Sequence, residues 1–249
     1  MKVSSRAAAA ALALLLPMAA CSGTPSLGAI TVLAAASLTE PFTDLSAALE
    51  KSDPGLSVRY SFGGSGALVT QVEQGAPVDV IATADTASMK RLTDAGLVEK
   101  PTTFARNKLE ILVARGNPKG IHSLADLARA DITFITEDDT VPAGKYAAQI
   151  LQKAGVAVRP KSKELDVKSA VAKVTSGEAD ATIVYVTDVQ AAGTKGDGVA
   201  IPDAQNVLAE YPIAVVKGTK HHAAAAAFVR QVVTGAGKKV LRQRGFAAP

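Results

Sequence analysis

The sequence predicts an α/β fold, and three features of the chain support this prediction. Short apolar runs alternate with segments whose apolar residues recur every three or four positions, as strands and helices do. Hydrophobic residues make up 48% and charged residues 20% of the 249 residues, which excludes a disordered chain. The net charge of +4 is too small for a nucleic-acid-binding protein, so no nucleic-acid partner is expected.

The first twenty residues, 1–20, have the composition of a secretory signal peptide. Two basic residues, Lys2 and Arg6, precede an uncharged apolar run from 7 to 16 that is too short to span a bilayer as a helix. Small residues then stand directly before Cys21, which is the only cysteine of the chain. Removal of Lys2 and Arg6 with this segment reduces the net charge from +4 to +2.

The residues around Cys21 resemble the lipobox of bacterial lipoproteins. That resemblance implies that Cys21 receives a diacylglyceryl group and becomes the mature N-terminus, at the start of a short polar tether over 21–27. Two acyl chains hold a protein at a membrane where one chain does not. We therefore expect the mature protein at the outer face of the cell membrane, anchored by lipid. The alternative is an ordinary cleaved signal peptide whose cysteine has no role.

Strands and helices alternate through the first half of the mature chain. Short apolar or alternating runs predict strands at 30–33, 56–62, 78–82 and 109–113, with amphipathic helices between them. Gly75 and Gly96 stand where the second and third helices are expected to end, since glycine readily adopts the left-handed conformation found there.

The same alternation continues to the C-terminus. Strands are predicted at 132–135, 182–186 and 213–216, and helices are predicted from Pro142 to before Gly155, at 167–174 and at 223–233. Because strands and helices alternate, we expect mostly parallel sheets. No long linker divides the chain, so two lobes would have to be joined by strand-like crossings.

Four strand-to-helix junctions carry small or hydroxyl residues. Ser37 and Glu40 form a capping-box pattern, although Pro41 leaves the helix start open between these two residues. Glycines flank Ser65, and Asp166 is a suitable N-cap. Each junction alone is typical of ordinary helix capping. Together they offer backbone N–H groups at the positive ends of helix dipoles, without a nucleophile and its base, and so they predict an anion site. The junctions lie at 34–41, 62–68, 141–144 and 166–167.

Five segments, in this order, resemble the molybdate-binding proteins of bacterial ABC importers. They are AAASLTEPF at 34–42, FGGSGALVTQVEQGAPVDVIATAD at 62–85, VPAGKYA at 141–147, IVYVTD at 183–188 and EYPIAVV at 210–216. The resemblance covers essentially the whole mature chain. It implies a type II periplasmic-binding-protein fold, in which two α/β lobes enclose a ligand cleft. Lobe I would comprise 28–106 and 212–249, and lobe II would comprise 107–211.

The same resemblance implies which residues contact the oxyanion. The two serines would give hydroxyl and backbone N–H donors, two further residues their backbone N–H, and the tyrosine its phenolic O–H. The glycines at 63, 64 and 66 stand where relatives often have Ser or Ala, and we expect them to loosen this loop. The five implied contacts are Ser37, Ser65, Ala143, Val167 and Tyr185.

The implied function is capture of molybdate and its delivery to an ABC permease in the membrane. Molybdate is unprotonated at neutral pH, so a site of donors suits it, and tungstate has the same charge and nearly the same size. Molybdenum would enter only as the bound oxyanion, without a cofactor, and the protein would be a monomer. Lys145 and Lys168, in the first turns of two helices, are expected either to attract anions or to be solvated.

The alternatives are a binding protein for sulfate or phosphate, a lipoprotein whose cleft is vestigial, and an enzyme. The segment around Ser65 is similar to a nucleophile elbow, but Ala67 stands where the G-x-S-x-G pattern needs glycine. His122, His221 and His222 are expected at the surface, with metal binding at the last two as the other possibility. We therefore do not expect an enzyme.

Overall fold

The structure is a computed structural model that describes residues 28–52 and 55–249. The expected signal peptide, Cys21 and the tether lie outside the described residues. Within the described part of the chain, no helix is both long and apolar enough to cross a membrane. The residues of the hydrophobic core lie between Ile30 and Phe246, so the chain from residue 28 onward contains its own core.

Ten strands and eight α-helices form the described part of the chain, together with three short 3₁₀ turns. The strands are β1 (Gly28–Ala35), β2 (Leu56–Gly63), β3 (Val80–Ala82), β4 (Thr102–Asn107), β5 (Leu109–Ala114), β6 (Thr136–Glu137), β7 (Lys163–Glu164), β8 (Ala181–Tyr185), β9 (Gly196–Ala200) and β10 (Ala209–Val215). The helices are α1 (Thr39–Ser52), α2 (Ser65–Glu73), α3 (Thr86–Asp94), α4 (Pro142–Ala154), α5 (Val167–Ser176), α6 (Val186–Ala192), α7 (His222–Val233) and α8 (Ala236–Gln243). The 3₁₀ turns are Ala36–Leu38, Leu124–Ala128 and Gly193–Lys195.

Most predicted elements are present, with small shifts at their ends. Gly75 and Gly96 adopt positive φ angles of 80° and 70° just after α2 and α3, as expected for helix ends. The strand predicted at 132–135 is reduced to a single bridge between Phe134 and Ala181. Elements β4, β6, β7, β9, α6 and α8 were not predicted; of these, β6 and β7 have only two residues each, too few to show a period.

Two main sheets divide the described chain into two parts. The five-stranded sheet has the order β2-β1-β3-β10-β4, and the three-stranded sheet has the order β8-β5-β9. We call residues 28–107 with 209–249 the large-sheet half, and residues 109–200 the small-sheet half. The predicted lobe bounds, 28–106 with 212–249 for lobe I and 107–211 for lobe II, stay a prediction.

The expectation of mostly parallel sheets is wrong. Strand β1 is parallel to β2 and β3, but β10 is antiparallel to β3 and β4. In the small-sheet half, β5 is antiparallel to both β8 and β9. The alternation of strands and helices fixes the order of elements along the chain but not their direction. Strand β10 enters the large sheet from the small-sheet half and therefore runs against β3.

The chain passes between the two halves at Lys108 and again at 201–208, and asparagine side chains fix both crossings. The Asn206 amide donates to the Leu109 carbonyl at 2.8 Å and accepts from the Leu109 N–H at 3.1 Å. The Asn107 amide donates to the Thr187 hydroxyl at 2.8 Å. The Asn206 bonds hold the two crossing segments side by side, and the Asn107 bond ties the first crossing to α6.

Glu137, the last residue of β6, is a carboxylic acid inside the small-sheet half. Its side chain is fully buried, and neither carboxyl oxygen has a hydrogen-bond partner on another described residue. Burial raises the pKa of Glu137 to about 8, and the negative charges of Asp188 and Asp166 act in the same direction. The carboxyl group is therefore protonated in the folded protein around neutral pH.

We predict that Glu137→Gln removes a pH dependence of stability. An unfolded glutamate has a pKa of about 4.3, so between roughly pH 4.3 and 8 only the folded state keeps this proton. The free energy of unfolding of the wild type therefore falls as pH rises through this window, by at most about 1.4 kcal/mol per pH unit. Thermal unfolding should show that the glutamine variant gains more stability over the wild type at pH 8 than at pH 5. An equal difference at both pH values would contradict a protonated Glu137.

Candidate functional site

Four helix starts and one strand end meet at a single cavity between the two halves. The space between the wall atoms is about 200 Å³ when the part open to solvent is included, and both halves contribute to the wall. The large-sheet half supplies residues near 35–37, 63–65 and 84, and the small-sheet half supplies residues near 141–143, 166–167 and 185. The structure brings all five residues of the predicted oxyanion site to this wall, namely Ser37, Ser65, Ala143, Val167 and Tyr185.

The backbone N–H groups on the cavity wall belong to the first turns of helices. Ser65 and Val167 are the first residues of α2 and α5, Ala143 is the second residue of α4, and Ser37 lies in the 3₁₀ turn before α1. The first N–H groups of a helix have no partner within that helix, and neither α2 nor α4 has a side-chain cap. The aligned peptide dipoles make this cavity favourable for negative charge.

Ser65 is oriented by a backbone contact on the large-sheet half. Its side chain is fully buried, and its Oγ accepts a hydrogen bond from the N–H of Ala84 at 3.1 Å. Because this bond uses an oxygen lone pair, the hydroxyl proton remains free to donate to a ligand. Ala84 also lies on the cavity wall, so the bond fixes Ser65 at the site itself.

Tyr211 of β10 supports two of the predicted site residues and was not itself predicted. Its hydroxyl oxygen lies 3.1 Å from Ser37 Oγ, and its ring packs edge-on against Tyr185, with ring centroids 5.6 Å apart. Among the residues that the structure describes, none meets hydrogen-bond geometry with the buried Tyr185 hydroxyl. Burial raises the pKa of Tyr185 well above its usual range, so this hydroxyl stays protonated and can donate. In the sequence, Tyr211 could not be distinguished from an ordinary core residue of a strand.

The predicted capping box of Ser37 and Glu40 does not form. The turn at 36–38 has no side-chain cap, and α1 begins only at Thr39. Glu40 is therefore the second residue of the helix and is too early for the capping-box position. Ser37 contacts Tyr211, while Glu40 accepts a hydrogen bond from Lys168 of α5 at 2.7 Å.

Asp166 caps α5, as the sequence predicted. One carboxylate oxygen accepts from the Ser169 N–H at 2.9 Å, and the other accepts from the Ser169 hydroxyl at 3.2 Å. Asp166 lines the cavity, but both of its oxygens are engaged with its own helix. The cap uses the N–H of Ser169, the third residue of α5, and leaves those of Val167 and Lys168 without a partner within the helix.

Gly64 and Gly66 allow the two halves to approach each other closely. A Cβ atom on Gly64 would lie 2.6 Å from the Leu165 carbonyl oxygen, and one on Gly66 would lie 2.6 Å from the Thr140 carbonyl oxygen. Both carbonyl groups belong to the small-sheet half. The expectation that these glycines loosen the loop is not met, because each is packed against backbone that a side chain would displace.

The three histidines do not line the cavity. His221 Nδ1 lies 3.1 Å from an Asp79 oxygen, and His222 Nε2 lies 2.7 Å from a Glu99 oxygen. Across residues 28–52 and 55–249, no group of three or more His, Cys, Asp or Glu residues is placed to hold a metal ion. The alternative of metal binding at His221 and His222 therefore gains no support.

Comparisons with known proteins identify the family. The model of the bacterial extracellular solute-binding proteins matches residues 30–247. The molybdate-binding protein of Mycobacterium tuberculosis strain H37Rv is 42% identical over 228 residues, which cover 90% of this chain and 87% of the relative. Two solved structures have the same fold as this chain. They are the periplasmic molybdate-binding protein of Azotobacter vinelandii (TM-score 0.76, 22% identity, 88% of this chain and 99% of that one) and the sulfate-binding protein SubI of M. tuberculosis H37Rv (TM-score 0.75, 26% identity, 88% and 86%).

These matches confirm the predicted α/β fold of periplasmic binding proteins and the resemblance to molybdate-binding proteins. They also confirm that the protein is not an enzyme, since its family consists of solute-binding proteins, which bind their ligand without a cofactor. The chain belongs to the bacterial extracellular solute-binding proteins, and it is of the kind that serves ABC importers.

Proposed function

We propose that this protein captures molybdate, and also tungstate, and delivers it to an ABC permease in the membrane. The observation that carries the proposal is the cavity between the two halves, whose wall includes all five residues that could supply hydroxyl or backbone N–H donors. No lysine or arginine is among the described residues that line it. The site is therefore built from neutral donors, and the ligand must supply the charge.

Neutral donors suffice for a small dianion when there are enough of them. A hydrogen bond to a charged group contributes about 1.5–3 kcal/mol, so several such bonds offset the loss of hydration. MoO₄²⁻ and WO₄²⁻ carry no proton at neutral pH and need no acceptor. Phosphate keeps a proton that needs an acceptor, and the one acidic residue among the described residues of the wall, Asp166, already accepts two hydrogen bonds from Ser169. The wall therefore favours an unprotonated oxyanion.

Sulfate is the second candidate, because it is also a fully ionised tetrahedral dianion. The fold similarity to the sulfate-binding protein SubI supports it. The 42% identity to a molybdate-binding protein across 90% of this chain favours molybdate. In either case the two halves supply different donors, so binding favours the closed arrangement, and closure creates the surface that a permease would recognise.

Calorimetric titration tests the choice of ligand. Protein that lacks residues 1–21 should bind molybdate and tungstate at least about tenfold more tightly than sulfate or phosphate at the same ionic strength. Molybdate should also raise the thermal midpoint of unfolding, because a ligand that binds only the folded state stabilises it. Equal affinities for all four anions would contradict the proposed selectivity.

Ser65→Ala tests the site. This change removes a donor to a charged ligand and should weaken molybdate binding by about 10- to 100-fold in calorimetry. Ser88→Ala is the matched control, because Ser88 is a buried serine of the same half whose hydroxyl has no partner. It should bind like the wild type, as should His222→Ala. If Ser65→Ala bound as tightly as Ser88→Ala, Ser65 would not be a ligand contact.

We also propose that Cys21 is lipidated and holds the protein, as a monomer, at the outer face of the membrane. The proposal is supported by the charged, apolar and small-residue segments that precede this single cysteine. Metabolic labelling with palmitate should mark the wild type but not Cys21→Ser. The double variant Cys21→Ser/Ser26→Cys should also stay unlabelled, because its cysteine no longer follows the small residues. Label on the double variant would show that any nearby cysteine is acylated and would refute the lipobox.

A further inference from the structure

Two salt bridges connect the small-sheet half to the large-sheet half beside the cavity. Lys168 of α5 pairs with Glu40 of α1, and Lys145 of α4 pairs with Asp85 at the start of α3. We propose that these two pairs are latches, which stabilise the closed arrangement and so slow the release of the bound anion. This inference rests on the proposed function, since it concerns the same site.

Lys168 has one partner in each half. Its ammonium nitrogen lies 2.7 Å from a Glu40 oxygen in the large-sheet half and 3.1 Å from an Asp188 oxygen in its own half. Asp188 is buried, and burial raises its pKa to about 6 although the Lys168 charge opposes the rise. Because Lys168 and Asp188 belong to the same half, their ion pair does not depend on closure of the cavity. Opening of the cavity would break only the contact with Glu40.

The second pair is organised in the same way. The Lys145 nitrogen lies 3.4 Å from one oxygen of Asp85, whose other oxygen accepts from the Ser88 N–H at 2.7 Å. Asp85 is thus fixed by its own helix, as the N-cap of α3, and presents its free oxygen across the gap. In this pair the carboxylate of Asp85 is held by its own helix, and the side chain of Lys145 is the more exposed partner.

Both latches act on the helix starts that supply ligand donors. Lys168 directly follows Val167 in the first turn of α5, and Lys145 lies two residues after Ala143 in α4. A salt bridge at each of these turns therefore holds a ligand-contacting N–H group against the large-sheet half. By contrast, the pairs Lys163–Asp139 and Lys90–Asp94 each lie within one half and cannot respond to closure.

A different role for the two lysines would be direct attraction of the anion, and the carboxylate partners distinguish the two roles. Loss of the negative charge of Glu40 or Asp85 would make the surroundings of the cavity more positive. The charge of Asp85 already acts on the wall, since it contributes to the raised pKa of Tyr185. Glu40 and Ser37 line a neighbouring cavity. Attraction alone therefore predicts tighter binding when either carboxylate is neutralised, and a latch predicts weaker binding.

Two variants, Glu40→Gln and Asp85→Asn, decide between tighter and weaker binding. Their affinity for molybdate is measured by calorimetry on protein that lacks residues 1–21. Each should weaken binding by about two- to fivefold, the usual range for a partly exposed salt bridge, with faster dissociation as the cause. Asparagine keeps the helix cap at position 85, and Glu40→Gln leaves Lys168 paired with Asp188. Neither change leaves a buried charge without a partner.

Asp139→Asn and Asp94→Asn are the matched controls, because each removes one negative charge from a salt bridge inside a single half. Both should bind molybdate as the wild type does. A double-mutant cycle adds a second measurement, since Lys145→Gln combined with Asp85→Asn should be no weaker than either single variant. Under attraction alone, Lys145→Gln would weaken binding while Asp85→Asn strengthened it.

Unchanged or tighter binding by Glu40→Gln and Asp85→Asn would overturn the latch while leaving the proposed function intact. Equal weakening by the control variants would also overturn it, because the effect would then follow net charge. If the wild type bound none of the four oxyanions, the proposed function itself would fail, and the latch with it. The thermal midpoints of the ligand-free variants should match that of the wild type within the spread of the controls, which separates a latch from a general loss of stability.

Discussion

If the protein binds a dianion as proposed, its organisation depends on the cost of placing that charge in a cavity whose described wall residues include no positive side chain. Only partial charges are available there, and the strongest are the unpaired N–H groups at helix starts. One helix supplies too few of them, so several helices must begin at the same point. The alternating strands and helices of both halves meet this requirement, because they direct the starts of α2, α4 and α5 and the turn before α1 to one cavity. Tyr185, at the end of β8, adds a hydroxyl to the same wall.

Convergence from two halves imposes close packing across the cavity. Gly64 and Gly66 meet this need, since their Cβ positions are taken by carbonyl oxygens of the other half. Tyr211 adds to this close packing from behind the site, where it contacts Ser37 and packs on Tyr185. The proposed salt-bridge latches add charge pairs at the rim of the same contact. Close backbone packing, the aromatic contacts of Tyr211 and the ion pairs are therefore all expected to stabilise the same closed arrangement of the two halves.

The sequence predicted the parts of this site that depend on local pattern. Helix starts and their caps follow rules of a few residues, so the positions of Ser65 and Asp166 could be inferred from their immediate neighbours in the chain. The fate of Ser37 and Glu40 could not, because a capping box competes with partners more than a hundred residues away, namely Tyr211 and Lys168. Strand direction was missed for a similar reason, since pairing between β10 and β3 is a long-range property. The role proposed for the two lysines likewise depends on carboxylates that are distant from them in the sequence.

The position of β10 has a consequence for how the molecule is made. This strand, formed near the end of the chain, lies between β3 and β4, and β4 has no other neighbour in the sheet. The N-terminal portion therefore cannot complete its sheet until about residue 215 has left the export machinery, whereas the strands of the small-sheet half are all available by residue 200. The proposed lipidation of Cys21 would hold the chain at the membrane surface before its largest sheet could close. Such late, distant pairing is slow, and during that interval the unpaired edges of β3 and β4 are open to other chains.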